Sequence, residues 1–285
     1  MGTSGRSGGP SSQTPLVPSW LEPAAPPAPP DGGAAPERGP NPHPDPRQPL
    51  PPIPPSPPPG RFKSARTNFS SFARSGGRDV RALRRAVGQY ARSGTGGSGN
   101  ATRRMGASRA TASLALGVLR DFQRDGVVET LRRLDLADLV GRPLEDIFIG
   151  LTDTVCGDGG SIDEGIAREA WLETVAELHE LHVANPADLT PDDMRTIFLT
   201  FVAHSIVGRL LQDIGANGFK FAGDLADVEA FDEQLRSYIR RSVEDSFSGD
   251  LTAPAALSDE QIGRVVDQTY REAWDLLQLQ GDAAE

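Results

Sequence analysis

From Gly60 onward, apolar residues recur at intervals of three and four, and nowhere do they alternate at two with β-branched partners. That period predicts helices throughout. Phe62, Phe69 and Phe72 give a short first helix an aromatic face, which Gly76-Gly77 ends. Asp79 starts a second helix, with Val80, Leu83, Val87 and Tyr90 on one side. The glycine-rich run from Gly94 to Asn100 reads as a flexible connector. A small-residue helix from Thr102 to Arg124 is expected next, turning Met105, Leu114, Val118, Leu119 and Phe122 inward.

The same period continues to the C-terminus. Leu131, Leu134 and Leu139 precede Gly141-Arg142-Pro143, where Pro143 suits a first helical position, and Ile147, Phe148, Leu151 and Val155 form a face ending at Gly157. Ser161 with Glu164 spells a capping box, in which side chain and backbone satisfy each other's end groups. The helix it opens should run to His182 and bury Ile162, Ile166, Trp171, Val175 and Leu178. Thr190-Pro191-Asp192-Asp193 opens the most apolar stretch, Met194 to Ile214, which is expected at the centre. Residues 224–247 use Leu225, Val228, Phe231, Leu235, Tyr238, Ile239 and Val243; a second capping box, Ser258 with Gln261, starts Ile262, Val265, Val266, Tyr270, Trp274 and Leu277. Eight to nine helices follow, without an internal repeat.

Before Gly60 the period vanishes and 21 of the chain's 25 prolines appear. Such a segment cannot bury enough apolar surface to fold, and favours an extended polyproline II spacer. Inside it Leu16, Val17 and Trp20, with Leu21, make one apolar island. A short docking motif and a bystander tryptophan both remain open readings. The fold class is therefore an all-α, multi-helix globular domain preceded by a disordered Pro/Gly-rich N-terminal tail. Its organisation is a tail over residues 1–60, a basic helical segment over 61–110 and an acidic all-α domain over 111–285, with 61–285 as one folded unit.

Charge sharpens that division. The three segments carry 3 basic and 4 acidic, 12 basic and 1 acidic, and 14 basic and 34 acidic residues. Arg78, Arg81, Arg84, Arg85, Arg103 and Arg104 in the basic segment could meet nucleic-acid phosphates or lie against the acidic domain. The second reading is favoured, because a net charge of −10 opposes nonspecific binding to DNA. One cysteine, Cys156, allows no internal disulfide and suits a reducing cytoplasm. The chain shows neither a signal peptide nor an apolar run near the ~18 residues of a membrane span.

No catalytic set emerges. The run Gly94 to Asn100 lacks the Lys-Ser/Thr pair and preceding strand of a phosphate-binding loop. His179, His182 and His204 read as surface histidines, and Cys156 as a buried small hydrophobe. Asp153, Asp158, Asp163 and Glu164 lack the alternation of a calcium loop. The expectation is a protein that is not an enzyme and has neither metal nor cofactor. Removal of Met1 would expose an unhindered glycine amine at Gly2, presented at the tip of a long spacer.

The opening Met1-Gly2-Thr3-Ser4 with Gly8-Gly9-Pro10, the run Thr14 to Trp20, the proline tract, Arg61-Phe62-Lys63-Ser64-Ala65-Arg66, Ser75-Gly76-Gly77-Arg78 and Arg103-Arg104-Met105-Gly106 together resemble the QatB family of the bacterial Qat anti-phage systems. The resemblance implies three partners: a P-loop ATPase (QatA), a QueC-like enzyme (QatC) and a TatD-like metal nuclease (QatD). It brings no catalytic residues. It implies a non-enzymatic, partner-binding defence subunit whose Gly2 accepts a modification from the QueC-like enzyme. The alternative is a nucleic-acid-binding adaptor that uses residues 61–110 to deliver DNA to the nuclease.

Overall fold

The computed structural model describes residues 60–216 and 225–285. Gly2, the proline-rich tail and the island of Leu16, Val17 and Trp20 lie outside the described residues. Within them are eleven α-helices and no strand, so the domain is all-α. The first four are α1 (Lys63–Arg74), α2 (Val80–Gln89), α3 (Ser98–Arg103) and α4 (Gly106–Arg124). Three short helices follow: α5 (Val127–Arg133), α6 (Leu144–Gly150) and α7 (Thr152–Val155). The larger helices α8 (Ile162–Ala176), α9 (Pro191–Ala216), α10 (Leu225–Ser246) and α11 (Asp259–Asp282) complete the domain.

Helix α9 is central because its sequence is apolar on nearly every side, and α4, α8 and α10 all pack on it. By length and composition it could cross a membrane, unlike the short apolar runs the sequence suggests, yet 83% of its most apolar window is buried in the fold. It is a core helix. Its start is fixed by Thr190, whose hydroxyl accepts the Asp193 amide at 3.2 Å while the Asp193 carboxylate accepts the Thr190 amide at 2.9 Å. Both capping boxes form, at Ser161/Glu164 for α8 and Ser258/Gln261 for α11.

One apolar cluster runs from Phe62 to Leu277. Phe69 and Phe72, both fully buried, pack on Phe231 of α10 at 6.3 and 5.1 Å between ring centres. Tyr90 stacks between Phe62 and Trp274, at 5.4 and 5.6 Å. Helices α2 and α11 cross backbone to backbone, since a Cβ placed on Gly88 would stand 2.5 Å from the Gly281 Cα. Only glycine permits that approach.

Several local expectations shift. The connector after Gly94 is partly helical: Gly97, with φ +105°, leads into α3, and the long helix expected from Thr102 breaks at Arg104-Met105. The break buries Met105 and sends Arg104 towards α9. Pro143 precedes α6 as its cap rather than entering it, and α8 ends at Ala176 in a short 3₁₀ turn before His182. Leu114, Ile162, Leu225 and Val228 are exposed although their spacing predicts burial. Ile162 and Leu225 are the first residues of their helices, where the chain has not yet reached the packed layer. Leu114 falls outside a buried stripe that Ala112, Ala115, Leu116 and Leu119 define.

Candidate functional site

The six arginines singled out in the basic segment separate into distinct environments. Arg78, Arg81 and Arg84 are exposed around the start of α2, where Arg81 Nε donates to the Ala284 carbonyl at 2.9 Å. Arg85 donates to the Asn68 side chain at 3.3 Å, and Arg103 to Asn100 on its own helix. Arg104 turns inward to Asp213 of α9 at 2.6 Å. Neighbouring Arg92 and Arg109 meet Asp282 and Asp267 of α11, at 2.7 and 2.6 Å. Arg92, Arg104 and Arg109 thus meet carboxylates of the same fold, whereas Arg78, Arg81 and Arg84 are exposed on and just before α2.

Arg104 belongs to a buried polar knot. The Tyr90 hydroxyl donates to Asp213 Oδ2 at 2.8 Å, Arg209 Nη1 lies 3.8 Å from Asp213 Oδ1, and Arg209 Nη2 reaches both Asp163 and the Arg104 carbonyl. Burial, reinforced by the Asp213 charge, pushes the Tyr90 phenol well above its usual range, so it stays protonated as a donor. The knot joins the π-turn after α2, the end of α3, α8 and α9.

A second polar cluster lies where α8 and α10 flank α9. His204 is 5% exposed, with Nδ1 3.1 Å from Glu173 and Nε2 3.0 Å from Glu177. The Nε2 contact is poorly aligned and falls short of a full hydrogen bond. Arg236 Nη2 meets Glu173 at 2.8 Å and Arg236 Nε meets Asp232 at 2.6 Å; Arg240 pairs with Glu177. Arg236 Nη1 also approaches His204 Nδ1 at 3.2 Å. Burial alone would lower the His204 pKa, but the adjacent Glu173 and Glu177 carboxylates outweigh it and raise it. Burial would likewise raise Glu173, yet His204 and Arg236 hold it down at about 2.

This cluster corrects the reading of His204 as a surface histidine, whereas His179 and His182 are exposed. Complementary stripes announced it: Glu169, Glu173 and Glu177 recur every four residues on one helix, as do Asp232, Arg236 and Arg240 on another. The two His204 nitrogens face different carboxylates, so those groups do not converge on one metal position; among the described residues no group of three such ligands forms a metal site. Cys156 is buried, and burial first of all pushes its thiol up to about 11, which makes it a poor nucleophile at neutral pH.

The profile of the family described as Qat anti-phage system associated protein QatB matches residues 96–277. That span covers most of the chain and both polar clusters apart from Tyr90. The chain belongs to the QatB family. It is therefore a component of an anti-phage defence system. No curated protein and no solved structure matches it. The family span starts at Gly96, yet its core is completed by α1 and α2, which precede it.

Proposed function

We propose that this QatB-family chain is a non-enzymatic, partner-binding subunit whose Gly2 amine accepts a modification from a QueC-like enzyme. The observation that carries the non-enzymatic half is how strongly perturbed groups are used. Tyr90, Glu173 and Arg236 each bond a partner on another element of the same fold, so among the described residues these three groups serve the fold rather than a substrate. The partners in this reading are a QatA-like P-loop ATPase, the QueC-like QatC and the TatD-like nuclease QatD.

For Gly2 the chemistry is specific. A QueC-like enzyme would activate a 7-deazaguanine carboxylate with ATP, releasing pyrophosphate and forming an acyl adenylate. The Gly2 nitrogen would attack the acyl carbon, AMP would leave, and an amide would form with loss of the amine proton. An α-amine titrates near pKa ~8, against ~10.4 for lysine, so much more of it is neutral and nucleophilic at cellular pH. A Gly2→Glu variant in cells carrying the whole system should lose phage protection while accumulating to the wild-type level. Undiminished protection contradicts the acceptor role.

A DNA-delivering adaptor draws on the exposure of Arg78, Arg81 and Arg84. Such an adaptor should bind duplex DNA with an affinity that falls steeply as salt rises. The subunit reading expects little binding at any salt concentration, because the chain carries a net charge of −10.

A further inference from the structure

Helices α2 and α10 both pack on α11 and leave a cleft between them. One chamber, of about 350 Å3, is lined by Leu83, Arg84, Tyr238, Arg241 and Gln280 among others. Val80, Arg84 and Gln280 also border a second chamber of about 500 Å3, to which Arg81 and the residues just after α11, Ala283 and Ala284, contribute. We propose that this cleft binds a small phosphate-bearing ligand of the nucleotide class, with its phosphates on Arg84 and Arg241.

The first support is the state of those arginines. In this fold Arg104, Arg109, Arg120, Arg209, Arg236 and Arg240 all have carboxylate partners. Arg84 and Arg241, contributed by different helices to the same chamber, are exposed and make neither ion pair nor hydrogen bond among the described residues. Two guanidinium groups lining one cavity supply the planar donor forks by which arginine grips phosphate.

The second support lies deeper. The Tyr238 hydroxyl is buried with Ser242 beside it and makes no well-aligned hydrogen bond, although the residue lines the chamber. Burial pushes its phenol up to about 12, so it remains a donor that a phosphate oxygen can satisfy. Val80, 41% exposed, supplies an apolar contact for an organic group above the buried Leu83.

The third argument fixes the size of the ligand. Glu233 and Asp245 stand on α10 at the chamber's lining. A long polyanion tracking the surface would meet these carboxylates, whereas a compact anion seated on Arg84 and Arg241 need not. The chamber is also of the size that encloses small ligands, ~300 to 1,000 Å3. The assignment does not depend on Gly2, and the unmodified chain should bind.

Calorimetric titration of the full chain with ADP, and separately with inorganic pyrophosphate, tests the assignment. One ADP per chain is expected, binding more tightly than pyrophosphate because the apolar wall contacts the nucleoside. Arg84→Gln alone, and Arg84→Glu with Arg241→Glu, should weaken ADP by about tenfold or more, whereas Arg142→Glu, on an exposed turn elsewhere, should leave it unchanged. Unchanged circular-dichroism melting would separate lost binding from lost folding. Absence of saturable heat with ADP, equal weakening by Arg142→Glu, or a Glu-rich peptide occupying the cleft in place of ADP would each overturn the proposal. Pyrophosphate binding as tightly as ADP would overturn the nucleotide assignment.

Discussion

Phe69 carries much of the link between the basic segment and the remaining fold. It is fully buried and its ring lies against Phe231, so Phe69→Ala removes both apolar burial and an aromatic contact. The expected loss is about 3 kcal/mol, read by urea denaturation; a change within error would show that α1 is only loosely attached. His204 gives a pH signature. Its raised pKa means that its contribution to stability is complete below the ordinary value of 6.5 and is lost as pH climbs through the raised one. Glu173 has the opposite sign: its contribution is present above 4.5 and disappears as pH falls towards about 2. Denaturation midpoints measured from pH 5.5 to 9 should therefore decline less steeply on the alkaline side for His204→Gln than for the wild type. Superimposable profiles would remove His204 from the account. Histidine spacing alone could not reveal this role, since both ring partners come from another helix.

At the scale of elements, the sequence is most legible where side chains close their own helix ends. Ser161/Glu164 and Ser258/Gln261 both form the boxes their spacing announces, and Thr190 opens the buried helix. Periodicity identifies inward faces well at helix centres, as at Trp171 and Trp274, and poorly at first turns such as Ile162 and Leu225. The reason is geometric: period reports which side of a helix a residue occupies, whereas burial also requires a neighbour at that height. Crossing points are illegible for the same reason. Neither Gly88 nor Gly281 has a positive φ, and only their mutual approach explains the two glycines. A methyl group at either position forces α2 from α11, which outweighs the roughly 1 kcal/mol of helix propensity that alanine gains. Gly281→Ala should therefore destabilise by about 1–3 kcal/mol in thermal or chemical denaturation. A more stable variant would mean that the helices separate freely.

At the scale of the whole fold, the described residues do not divide between the basic segment 61–110 and the acidic segment 111–285. Segments with excess basic and excess acidic residues share one core, through Phe62, Leu83, Val87 and Tyr90 on one side and Phe231, Tyr270 and Trp274 on the other. A fragment beginning at Gly96, where the family match begins, lacks α1 and α2 and would expose the apolar faces of α10 and α11. It should be aggregated or unfolded by circular dichroism, whereas residues 60–285 should melt cooperatively; a soluble, cooperative fragment would contradict the shared core. The central functional claim concerns Gly2, and it is tested most directly by mass spectrometry of the N-terminal peptide after co-expression with active or inactive QueC-like partner. The account predicts a Gly2 amine heavier by the deazapurine carboxylic acid minus one water, only with the active partner; a plain Gly2 amine beside active enzyme would contradict it.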